Sequence, residues 1–262
     1  IGLALSFLIF SRFFLGSSPA KVEPFKNFPD INKKVIPFFY VAIFGWISGY
    51  GGNLIVAIFF SINLVGKLTL ILLIGSVLQL ILTAINQAWA PRFFSHLRDK
   101  KHSKNSIEEI GMINEKVYFF QSIICCLSIS LILIGIFVMQ SLFNGPLGQF
   151  NEYAYYILFI LWGYSALLPW YQCANYLIFF DKGKELSKIT ITSGILGISL
   201  WIGLMYAFGE IGIYIGLLIQ MILRSMFIVS FSRKIWKLRL PWFGYMLNLI
   251  IPLAIVYLLN NY

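Results

Sequence analysis

The sequence predicts an all-α, polytopic membrane protein, and three observations lead there. Hydrophobic residues make up 59% of the 262 and charged residues 11%, against roughly 25% charged in an ordinary soluble domain. The apolar residues fall in long continuous runs. Transmembrane strands would instead need short alternating segments of ~10 residues, so the runs read as helices. The basic residues gather in every second connection between runs, which is the signature of a chain that crosses a bilayer repeatedly.

Eight runs are legible in order: 1–15, 35–60, 65–90, 117–139, 153–180, 189–208, 211–231 and 242–259. The first is short for a span of ~20 residues and lacks the basic flank of a signal peptide. It is expected to be the end of a truncated transmembrane helix. Residues 16–34 carry Pro19, Pro24 and Pro29 among mixed charges, which reads as a cytoplasmic linker between two blocks of helices. The run 35–60 contains Gly45, Gly49, Gly51 and Gly52, followed by Asn53. Glycines so close together allow either a bent helix beside a cavity or a tight crossing with another helix.

The run 65–90 carries a polar seam. Thr69, Ser76, Gln79, Thr83 and Asn86 recur at helical spacings and share one stripe. An unpartnered amide facing lipid costs about 2–7 kcal/mol, so Gln79, near the middle of the span, must face protein or water. The helix is expected to end near Ala90, where Asn86-Gln87-Ala88-Trp89-Ala90-Pro91-Arg92-Phe93-Phe94 turns from apolar to basic. Residues 95–116 read as a long basic connection, with a short surface helix over 107–113. After the span 117–139, the connection 140–152 holds the turn-forming Asn144-Gly145-Pro146. The run 153–180 is interrupted by Pro169, which cannot donate to the Ser165 carbonyl. Gln172 and Asn175 follow on one face, suited either to a hinge lining a polar cavity or to bonds with neighbouring helices. In 211–231, Gly212 and Gly216 have the spacing of a packing seam. Arg224 in the same run either snorkels to the headgroups or faces the bundle as an anchor for an anion. A basic turn and a terminal span complete the chain, so the expected organisation is 1–15, 16–34, a six-helix lobe over 35–231, and 232–262.

Charge sets the orientation. Eighteen of the 20 Lys and Arg residues lie in alternate connections, and only Lys67 lies in the opposite ones, with Arg224 inside a span. The basic side is assigned to the cytoplasm. The net charge of +10 is then accounted for by membrane lipid headgroups, and no nucleic-acid partner is needed. Cys125, Cys126 and Cys173 sit in spans without metal-like spacing, and His96 and His102 lie in a basic loop. All ten carboxylates fall in loops or at span ends, away from mid-membrane, where proton or sodium relays need them. No phosphate loop, nucleophile elbow or other catalytic constellation is present in the sequence. No enzyme activity, cofactor or metal is expected.

The segment 52–94 resembles the helix 7–helix 8 region of Wzx-type bacterial polysaccharide and O-antigen flippases, in the multidrug/oligosaccharidyl-lipid/polysaccharide exporter superfamily. The resemblance rests on Leu64-Val65-Gly66 at the external turn, on Asn86-Gln87-Ala88-Trp89-Ala90-Pro91, and on Phe93-Phe94. It covers about forty residues in motif and nearly all the chain in the order of its runs. It implies the C-terminal six-helix lobe of a MATE-like transporter plus an extra terminal helix, in the bacterial inner membrane. The implied activity is alternating-access transfer of undecaprenyl-pyrophosphate-linked oligosaccharide repeat units for O-antigen, capsule or exopolysaccharide synthesis. Implied partners are the lipid-linked oligosaccharide, a polysaccharide polymerase and chain-length machinery. Candidate substrate-binding residues are Gln79, Asn86, Gln87, Arg92, Gln172, Asn175 and Arg224. Many relatives carry an acidic-Arg pair where this chain has Gly52-Asn53, so that pair's role does not carry over. A drug exporter of the same superfamily and a membrane-embedded polymerase or ligase are the rival expectations.

Overall fold

Apolar runs become helices in a membrane because only intrahelical bonds satisfy the backbone without water. The computed structural model describes residues 36–37, 39–46, 51–99, 104–142, 150–235 and 239–260. Among these every regular element is helical. Residues 39–46 are helical, and eight further helices follow: α1 Gly51–Phe59, α2 Ile62–Asp99, α3 Lys104–Leu142, α4 Phe150–Ala166, α5 Leu168–Phe179, α6 Gly183–Phe208, α7 Glu210–Ile235 and α8 Trp242–Asn260. Six stretches are long and apolar enough to span a bilayer: Ile62–Arg98, Glu108–Met139, Tyr153–Phe179, Gly183–Phe208, Glu210–Lys234 and Trp242–Leu259. The chain is a multi-pass membrane protein. The run 1–15 and the linker 16–34 lie outside the described residues, as do positions 47–50 in the middle of the run 35–60.

The spans alternate in direction, and packing at their ends shows it. Lys67 at the start of α2 stands 3.9 Å from Glu210 at the start of α7 and lies over the Tyr153 ring near the start of α4. At the opposite end Phe93 and Leu97 of α2 pack with Ile110 of α3 and Tyr176 of α5. Arg233 of α7 lies there over Trp242 of α8.

Two boundaries differ from the sequence reading. α2 does not stop near Ala90; it runs through Pro91 to Asp99. α3 begins at Lys104, so residues 107–113 are its first turns and not a separate surface helix. The reason is packing: the face carrying Phe93 and Leu97 is buried against α3 and α5, and Phe94 stacks on Phe179. That burial continues the helix past the point where lipid stops requiring it.

α6 and α7 form the tightest pair. Gly209, at φ +61°, turns the chain between them in a conformation that suits glycine. A Cβ on Gly212 would overlap the Leu204 carbonyl, and one on Gly216 would overlap the Trp201 ring, so both glycines are packing positions. Trp201 also fills the space that a side chain on Gly52 would need, and its indole N–H donates to the Ile213 carbonyl at 2.8 Å. Gly52 is therefore a packing position against the Trp201 side chain.

The terminal helix α8 packs mainly on α3, where Gly244 closes against Ser122. It is tied to α5 through Gln172, whose Nε2 donates to the Arg239 carbonyl at 2.8 Å and whose Oε1 accepts from Tyr245 at 3.3 Å.

Candidate functional site

The span Tyr153–Phe179 is broken in the middle. α4 ends at Ala166, Leu167 forms a turn, and α5 begins with Pro169 in its first turn. Proline fits there because the first-turn N–H groups have no intrahelical acceptor. A break frees carbonyls that must find donors in a membrane. The Ser225 hydroxyl of α7 donates to the Ala166 carbonyl, while the Leu167 N–H reaches Tyr164 at 3.1 Å.

Beside this break lies a cavity of about 550 Å³. One wall is the polar stripe of α2, with Thr69, Ser76 and Gln79; the opposite wall is α7, with Gln220, Met221 and Arg224. Tyr164 and Leu167 of the broken span, together with Gly45 and Asn53, complete it, and Leu70, Leu72 and Leu73 make much of the surface apolar. At 1.5 Å per residue, Gln79 lies about 18 Å along α2 from Lys67, and Arg224 about 21 Å along α7 from Glu210. The cavity therefore extends from the Lys67–Glu210 end to near the middle of a ~30 Å hydrocarbon layer.

Among the described residues Arg224 is the only cation lining this cavity, and no carboxylate lines it. Its guanidinium lies over the Trp170 ring at 4.3 Å. Its Nε is sealed without a hydrogen-bond partner, as are the Trp170 indole nitrogen and Asn53 Oδ1. Leaving such a group buried and unpaired costs about 1–3 kcal/mol, so these three atoms mark a costly polar site at and beside the cavity.

The candidates from sequence separate into three groups. Gln79 and Arg224 line the cavity together, and Arg224 is turned inward over Trp170. Asn86, Asn175 and Gln172 are engaged in bonds between helices. The Tyr118 hydroxyl donates to Asn86 Oδ1 at 2.8 Å, and Asn175 Nδ2 donates to the same oxygen at 2.9 Å and to Tyr118 at 3.1 Å. Gln87 and Arg92 are exposed on α2 and do not line the cavity. Among the described residues no cluster of His, Cys, Asp or Glu could hold a metal.

No family model, no curated protein and no solved structure matches the chain.

Sequence reasoning passed over Gln220 and Trp170. Gln220 precedes Arg224 by one helical turn, so the spacing i, i+4 already put it on the cation's face. Trp170 had no such local signal, because its partner lies 54 positions away on another helix.

Proposed function

We propose that the chain is the C-terminal lobe of a flippase that moves an amphipathic, anionic lipid between leaflets. The substrate is a pyrophosphate-linked polyprenyl oligosaccharide, and the membrane is the bacterial inner membrane. The observation that carries this reading is Arg224, laid over the Trp170 ring at the inner end of a largely apolar cavity. A guanidinium offers a planar fork of donors to phosphate oxygens, and the leucines beside it accept lipid or apolar sugar faces. Gln79 and Asn53 offer amides to sugar hydroxyls. The broken span suits a transporter, since irregular backbone within a membrane belongs where it lines a cavity. In this reading the protein carries its substrate without altering it, and a polymerase and chain-length machinery take the product on the far side.

Among the described residues no carboxylate lines the cavity, which disfavours cationic drugs as cargo. The test is a strain lacking the full-length gene, with its lipid-linked glycans labelled and assigned to a leaflet. Single repeat units trapped in the cytoplasmic leaflet are expected, with wild type but not the expressed Arg224→Gln variant restoring transfer. Unpolymerised units reaching the outer leaflet would identify a polymerase or ligase instead. An unchanged glycan pool would identify an exporter of something else.

A further inference from the structure

Arg224 is held in an unusual way for a lone cation inside a membrane. Among the described residues no acid or carbonyl is bonded to it; an aromatic face holds it. Trp170 stands in the first turn after the break, one residue beyond Pro169, and its ring lies 4.3 Å from the Arg224 guanidinium. The two residues are locked to each other through their neighbours. Ser225, adjacent to Arg224, bonds the Ala166 carbonyl at the break. Tyr171, adjacent to Trp170, sets its ring edge-on to the indole at 5.5 Å and its hydroxyl 3.2 Å from Thr83 of α2. The indole therefore has α2 and the break behind it, and Arg224 in front.

A guanidinium bound by its face keeps its edges free. The Nε edge is sealed. The terminal nitrogen Nη2 points towards the cavity wall at Gly45, 4.0 Å from where a Cβ on that residue would stand. One orientation of the fork remains, with the terminal amino groups as its open edge.

We propose that Trp170 is a positioning residue: its indole face holds the Arg224 fork so that the terminal edge meets two oxygens of a phosphate or pyrophosphate. This rests on the flippase reading, and it adds why an arginine is required and what fixes its geometry. A free arginine loses side-chain entropy when it grips an anion in two places, whereas one already laid flat on a ring has lost it beforehand. Lysine cannot substitute, because an ammonium has neither a plane to stack nor a fork.

The experiment measures inorganic pyrophosphate binding by calorimetry to the full-length protein in lipid nanodiscs. Replacing Trp170 with tetrafluorotryptophan keeps its shape but removes the negative potential of its face. Binding is expected to weaken about 3- to 10-fold, the range of a partly desolvated cation–π contact. Trp170→Leu should weaken it at least as much, Trp170→Phe should restore part of the loss, and Arg224→Lys should bind worse than wild type. In an Arg224→Gln background the fluorinated residue should change nothing. If Arg224→Gln abolishes binding while tetrafluorotryptophan leaves it intact, the positioning role is overturned and the anion site stands. If the fluorinated residue weakens binding equally in the Arg224→Gln background, Trp170 acts elsewhere, and the proposal fails. If wild type does not bind pyrophosphate, or Arg224→Gln binds as well as wild type, the anion site itself falls and Trp170's role with it.

Discussion

At the scale of single residues, one polar stripe serves two purposes. Thr69, Ser76 and Gln79 line the cavity, whereas Thr83 and Asn86 meet Tyr171 and Tyr118 from other helices. The sequence made the stripe legible because helical spacing is local. It could not divide the stripe, because the partners are tyrosines 88 and 32 positions away that read as apolar in a span. The division has a measurable consequence. Asn86 Oδ1 accepts two hydrogen bonds, from Tyr118 and Asn175. Asn86→Leu strands the Tyr118 hydroxyl and leaves Asn175 only its longer bond to that hydroxyl, and should destabilise the bundle by about 1–3 kcal/mol. Tyr118→Phe removes the hydroxyl as donor to Asn86 and as second acceptor for Asn175 but leaves Asn175 on the Asn86 oxygen and strands no buried donor. Its cost should be smaller, near the ~0.6 kcal/mol average for bonds between membrane helices. Unfolding of the purified protein in mixed micelles measures both, and equal losses would show that Asn86 is not the shared acceptor.

At the scale of elements, hydropathy located the spans and was blind to what happens at their ends. It reports what lipid tolerates, and α2 continues beyond Pro91 for a different reason, the burial of Phe93 and Leu97 against Ile110 and Tyr176. Proline's missing donor marked the interruption of the span Tyr153–Phe179, although the break falls at Leu167, two positions earlier. The glycines of the α6–α7 pair show how much a close approach is specified residue by residue. Gly203 has open space where a Cβ would stand, but at Gly212 a Cβ would overlap the Leu204 carbonyl oxygen. The same substitution should therefore act in opposite directions. Gly203→Ala should stabilise by up to about 1 kcal/mol, since alanine is the better helix former. Gly212→Ala forces two backbones apart and should cost about 1–3 kcal/mol. Thermal unfolding of the two variants in the same detergent decides it, and a stabilised Gly212→Ala would mean that α6 and α7 do not approach as closely as described.

At the scale of the whole molecule, charge and packing agree on which helix ends belong together. The ends carrying Arg92, Arg98, Lys182, Arg233 and Lys234 share one side, and the Lys67–Glu210 pair marks the other. That alternation was legible in the sequence because membrane insertion reads basic loops directly. The cavity was not, because its walls come from α2, the α4–α5 break and α7, with Gly45 and Asn53. The two facts together fix where the cavity opens: Gly66 and Thr69 lie at the end away from the basic loops, and Gln79 and Arg224 lie deeper. A membrane-impermeant maleimide applied to intact cells should then label Ile62→Cys and Thr69→Cys readily, label Gln79→Cys more slowly, and spare Lys184→Cys until the cells are permeabilised. The native Cys125, Cys126 and Cys173 are buried and should give little background. The opposite pattern, with Lys184→Cys labelled first, would invert the bundle and turn this cavity towards the cytoplasm. The graded series from Thr69 to Gln79 separates a cavity that admits water from a sealed packing defect. In a sealed defect both positions would stay unlabelled from either side, and Arg224 would have no route by which an anion could reach it.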